Sequence, residues 1–118
     1  MDSKFYVSLE AARLLKEKGY NEECDCAIDE DSDIYSCEYR MNQDLPEWKW
    51  SCPTKAEAID WLESKGIIIG VKPYTAISFS YFILIDRKSS YDVIETNECF
   101  STKLEAEDSA IIKALELL

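Results

Sequence analysis

The sequence predicts an α+β fold, with three helices packed on a largely antiparallel sheet of about five strands in the order α-β-β-α-β-β-β-α. Two observations set the helices. Thr54 with Glu57, and Thr102 with Glu105, form Thr-x-x-Glu capping boxes in which each side chain satisfies a backbone N–H that a helix start leaves unpaired. A third observation sets the strands: Ile77-Ser78-Phe79-Ser80-Tyr81 alternates apolar with polar, the period of a half-buried strand.

Taken in order, Ser8 caps a helix over residues 9–18, with Ala11, Ala12, Leu14 and Leu15 on its buried side and Gly19 as its stop. Lys16 and Lys18 complement the negative end of its dipole. Residues 24–28 read as a strand, 29–33 as a polar turn, and 34–41 as a returning strand whose Tyr35, Cys37 and Tyr39 form the apolar side. Residues 42–52, with Pro46, Trp48 and Trp50, read as an irregular loop. Its two tryptophans share a face if the backbone is extended, either closing over the core edge or forming an exposed contact site.

The second helix carries the apolar stripe Ala58, Ile59, Trp61 and Leu62 and stops at Gly66. Residues 67–71 read as a buried strand ended by Pro73. The run Phe82-Ile83-Leu84-Ile85 continues the strand begun at Ile77 with both faces apolar. Residues 86–90 turn the chain and 91–96 return it. The last helix buries Leu104, Ile111, Ala114, Leu115 and Leu118. The two capped starts, Thr54-Lys55-x-Glu57-Ala58-x-Asp60 and Thr102-Lys103-x-Glu105-Ala106-x-Asp108, echo each other. A duplicated β-β-α unit would produce that echo, but so would any two well-capped helices.

At 118 residues the chain is one domain, residues 1–118, with 47% hydrophobic residues and only 3 Gly and 3 Pro, a composition for a packed core and not for disorder. Its start shows no basic region followed by an apolar run, and its longest apolar runs are too short to span a bilayer, so a cytoplasmic location without membrane insertion is expected. Thirteen basic against 24 acidic residues give a net charge of −11. That field repels phosphate backbones, which disfavours nucleic acid as a partner and favours a protein with a basic surface, such as the DNA-binding face of another protein.

The five cysteines are an odd count for a disulfide framework, so reduced thiols are expected. Cys24, Cys26, Cys37 and Cys52 offer four thiolates to zinc, the alternative function for the chain. The spacing holds only one close pair, where zinc signatures have two. Asp29-x-Asp31-x-Asp33 imitates the start of a calcium loop, but Ile34 replaces the turn glycine and Arg40 the bidentate glutamate. With no histidine, Cys-His and Ser-His catalysis is excluded. No glycine-rich phosphate loop is present and no carboxylate pair stands apart, so neither catalytic residue nor cofactor is expected.

Ser8-x-Glu10-x-Ala12-x-Leu14-Leu15-Lys16-Glu17-Lys18-Gly19-Tyr20-Asn21-Glu22-Glu23-Cys24 resembles the opening of a family of small proteins from phages and mobile elements of Bacteroidetes. Cys52-Pro53-Thr54-Lys55-Ala56-x-Ala58-x-x-Trp61-Leu62 resembles that family's central helix and residues 102–118 its closing one, with Glu23 where the family often has proline. The resemblance implies a bacterial cytoplasm and an accessory role, and it brings no catalytic residue. The expectation is a non-enzymatic acidic module that binds a protein partner through Trp48, Trp50, Asp29, Glu30, Asp31 and Asp33. On that expectation, replacing both tryptophans abolishes capture and leaves folding intact. A homo-oligomer formed through an exposed sheet edge is compatible with it.

Overall fold

The computed structural model describes residues 3–118, apart from the side chain of Tyr39. Ser8 Oγ accepts the Ala11 N–H and opens helix α1, Leu9–Glu17, which buries Ala11, Ala12 and Leu15 and leaves Leu14 half-buried. Gly19 follows at φ +95°, a left-handed conformation that costs glycine little. Strands β1 (Cys24–Asp29), β2 (Ile34–Arg40) and β3 (Lys49–Ser51) form an antiparallel sheet in the order β2-β1-β3.

The capping box at Thr54 is complete: Thr54 Oγ1 accepts from the Glu57 N–H at 3.2 Å while Glu57 Oε1 accepts from the Thr54 N–H at 3.0 Å. It opens α2, Lys55–Ser64, which buries Ala58 and Leu62 with Ile59 and Trp61 half-buried beside them. Strands β4 (Ile67–Thr75), β5 (Ser78–Asp86) and β6 (Tyr91–Glu95) form a second antiparallel sheet in that order. Helix α3, Lys103–Glu116, contacts β4, β5 and both other helices, while α1 rests on β3 and β1. The core gathers where these contacts meet, around Leu15, Leu62, Ile83, Ile111 and Leu115.

The α+β class with three helices is as expected, but there are two three-stranded sheets, not one sheet of about five strands. The extra strand is β3, inside the segment expected to be a loop. Buried Asn42 fixes it there, donating Nδ2 to the Tyr20 carbonyl at 2.7 Å and accepting the Ser51 N–H on Oδ1 at 2.8 Å. Pro73 does not end β4, which runs on to Thr75. The strand lies at a sheet edge and its register slips just after Pro73, so no central ladder bond is lost.

The expected apolar side of β2 holds at Cys37, which is buried while Ser36 and Glu38 are exposed, and is corrected at Ile34. Ile34 packs on the core, whereas Tyr35 lies on the opposite face and Tyr39 falls outside the described side chains. A bulge breaks the alternation: Cys24 pairs with Arg40 but Cys26 with Ser36, and Glu38 sits at φ +55°. The Cys37 thiol fills the gap by donating to the Cys24 carbonyl. On α3, Ala106 and Ala110 are buried, Leu104 is only half-buried and Leu118 is exposed, because the helix ends at Glu116. The suspected duplication finds no topological support, since the first sheet is centred on its first strand and the second on its middle one.

Gly70 on β4 has a specific use. A Cβ there would lie 2.1 Å from Cζ of Phe82, the residue paired with it on β5, so the ring lies flat across the glycine. Gly70→Ala is expected to destabilise the fold by about 1 kcal/mol by pushing the ring off. In a Phe82→Ala background the same change is expected to stabilise by roughly 0.5 kcal/mol, because alanine orders the strand backbone at lower entropy cost. Urea midpoints of the four proteins in this cycle check the sign change.

Candidate acidic binding groove

The register of β1 against β3 assembles the expected contact residues. Asp29 pairs with Lys49 and Ile28 with Trp50, so the turn after Asp29 and the chain entering Lys49 lie at the same end of the first sheet. Trp48 is thereby brought beside the acidic turn and is 54% exposed. The Lys49 ammonium sits 4.7 Å from the Trp48 ring centroid and 4.6 Å from that of Tyr35, a cation held between two aromatic faces.

Trp50 has a different environment. It is half-buried and packs against the core, with the Arg13 guanidinium 4.7 Å from its ring centroid. The two tryptophans therefore part company: Trp48 precedes the strand and stays open to solvent, while Trp50 is held in it.

The acidic turn folds through its own aspartate. Asp29 Oδ1 accepts the N–H groups of Asp31 at 2.9 Å and Asp33 at 3.1 Å, and Ser32 takes the left-handed position of a three-residue hairpin loop at φ +63°. Glu30, Asp31 and Asp33 are exposed. Ligand oxygens of Asp29, Asp31 and Asp33 lie within 4.8 Å of one another, which concentrates negative potential at this end of the sheet.

On the core-facing side of the same hairpin is a groove of about 580 Å³. Val7, Ile28, Ile34 and Phe100 give it apolar walls, and Ser32 brings the acidic turn to its margin. Lys55, only 7% exposed, donates to the Lys4 carbonyl at 2.7 Å, and Asp108 Oδ1 accepts the Ser8 N–H at 2.9 Å. Asp108 thus ties the start of α1 to α3 while its carboxylate, with that of Glu105, lines the groove. Tyr6, also at the groove, lies beside Cys26, and its hydrogen bond to that thiol together with the thiolate's charge, ahead of burial, holds the phenol above its ordinary range. Tyr6 and Phe100 are marked by no local pattern, and Lys55 and Asp108 only as members of the two capped helix starts. They come from separate parts of the chain, and only tertiary packing joins them.

The cysteines take structural positions. Cys24, Cys26, Cys37 and Cys52 are buried and not disulfide-bonded, and Cys99 is exposed. The Cys52 thiol donates to the Val7 carbonyl at 3.4 Å. Among the described residues, the groups of three or more close metal-ligating atoms include the Asp29, Asp31 and Asp33 carboxylates and no cysteine. The four thiols therefore do not converge as a zinc site requires. No described helix is long and apolar enough to cross a membrane. Comparison with protein-family models, curated proteins and solved structures returns no match for the chain.

Proposed function

We propose that this protein is a non-enzymatic accessory module that binds a protein partner bearing exposed lysine or arginine side chains. The observation that carries the reading is the pairing of Asp29 with Lys49, which places solvent-exposed Trp48 beside the turn of Asp29, Glu30, Asp31 and Asp33. An exposed indole offers a large, rigid contact area, and neighbouring carboxylates steer and orient a cationic partner. The groove behind the turn offers apolar surface for side chains next to the basic ones. Absence of histidine and a net charge of −11 support binding over catalysis and protein over nucleic acid. The resemblance to phage and mobile-element proteins supports an accessory role.

The test compares the tagged chain with its Asp31→Asn/Asp33→Asn variant. Both side chains are exposed, so the variant should fold normally. The wild type is expected to capture a partner with a basic surface, to lose it when salt rises from ~0.1 M to ~1 M, and to hold it at least about tenfold more tightly than the variant does. Equal capture by the two proteins, or capture insensitive to salt, would overturn the reading.

A further inference from the structure

The second sheet presents two different faces. Directly paired residues of antiparallel strands share a face, and the faces alternate along each strand. Ile67, Ile69, Val71, Tyr81, Ile83, Ile85 and Ile94 belong to the core or pack against it. The alternate positions point the other way, and there Ile68, Leu84 and Val93 form one continuous row across β4, β5 and β6. Phe82, lying over Gly70, and Tyr91 extend the row along the sheet. Ile68 is 39% exposed, Val93 58% and Tyr91 67%. Contiguous apolar surface of this kind on a folded domain marks a contact site.

Charge identifies the occupant. Residues 67–95 carry Lys72, Arg87 and Lys88 against Asp86, Asp92 and Glu95, three of each sign, so the segment is neutral and the entire net charge of −11 lies elsewhere. Four of the six are neutralised in pairs, Lys72 with Glu95 at 3.0 Å and Arg87 with Asp92 at 2.9 Å. A basic partner finds no local field here to attract it, and an acidic one finds none at contact to repel it. We infer that this outer face of the second sheet is a homodimer interface, and that its occupant is the same face of a second copy of the chain. The two copies then meet on a face whose centre is apolar, with Lys72 and Glu95 paired at one end of it and Asp86 beside Tyr91 at the other.

The area sets the strength. Nine-residue strands β4 and β5 extend about 30 Å, and three strands span about 14 Å, so each face offers a footprint of roughly 400 Å². Two such faces, with side-chain relief, reach about 1,000 Å² of buried surface, the lower limit of a specific interface. The dimer is therefore reversible, with a dissociation constant on the order of 10–100 μM. Its salt dependence has a definite sign: each copy carries −11, so screening the long-range repulsion tightens the dimer. That is opposite to the acidic-turn complex, which salt weakens.

Sedimentation velocity on the full chain from ~5 to ~300 μM, at ~0.05 M and ~0.5 M salt, tests this. The wild type is expected to pass from monomer to dimer over that range, at lower concentration in the higher salt. Ile68→Asp and Val93→Asp are each expected to raise the dissociation constant at least about tenfold. Circular dichroism confirms that each variant is folded, and Tyr91→Asp, at the most exposed of these positions, replaces either one that is not. A monomer at every concentration, including one that instead captures a different protein on this face, would overturn the inference. So would a dimer untouched by Ile68→Asp, because that result would place the contact away from this face, for example at one of the sheet edges. Because the Asp31→Asn/Asp33→Asn variant leaves this face intact, dimerisation and partner capture fail or succeed separately.

Discussion

Raising the pH from about 8 to about 11 is expected to lower folding stability by on the order of 5 kcal/mol, a large part of what a domain this size possesses. Burial pushes the Cys24 thiol up from 9.0 to about 11 and the Cys52 thiol up from 9.0 to about 12. Both groups are neutral when protonated, so burial in apolar surroundings penalises only the thiolate. Below the ordinary value of 9.0 both states hold the proton and nothing is lost. Above it the unfolded chain releases protons that the folded chain retains, and stability falls until the folded thiols also titrate, near 11 and 12. Burial raises Cys26 and Tyr20 in the same direction. Urea midpoints at several pH values measure the slope, and a midpoint unchanged up to pH ~11 would contradict the burial of these thiols. Cys52→Ala should flatten the slope while lowering stability at neutral pH. Cys99, exposed, is the thiol expected to react with a maleimide in the native protein, while the four buried thiols react only on unfolding.

Helices and the second hairpin were legible because their signals are local. Thr54 and Glu57 need only each other to cap a helix start, and the alternation from Ile77 to Tyr81 is a property of one strand. Strand β3 was not legible, because three residues after Pro46 become a strand only against β1, with Asn42 holding the other side. The end of β4 was misplaced for a related reason: proline stops a central strand, and nothing in residues 67–75 says that the strand lies at an edge. The bulge at Glu38 hid which face of β2 turns inward. At the candidate site, the acidic turn was visible as a turn and as a charge cluster, whereas the groove needs Tyr6, Lys55, Phe100 and Asp108 to meet across the whole chain. The outer face of the second sheet had left a trace in Phe82-Ile83-Leu84-Ile85, apolar at every position. In a sheet covered by helices on both sides that pattern means burial; here one side is open, and Leu84 and Phe82 lie on it.

Replacing the two tryptophans one at a time should give opposite phenotypes. Trp50→Ala is expected to cost about 2–3 kcal/mol, because its ring packs on the core beside Ile28 of β1 and carries the Arg13 guanidinium on its face. Trp48→Ala removes an indole that is 54% exposed and whose contacts include the Lys49 ammonium, so its stability cost should stay below about 0.5–1 kcal/mol. On partner capture the order reverses: Trp48→Ala should weaken binding at least about tenfold, about 1.4 kcal/mol, while Trp50→Ala should bind normally at temperatures where it remains folded. A double variant would therefore be destabilised through Trp50 and obscure the role of Trp48, in contrast to the expectation that replacing both leaves folding intact. Urea denaturation measures the first pair of effects and partner capture the second. A Trp48→Ala protein that folds and binds like the wild type would remove the indole from the site and leave the carboxylates of Asp31 and Asp33 to act without it.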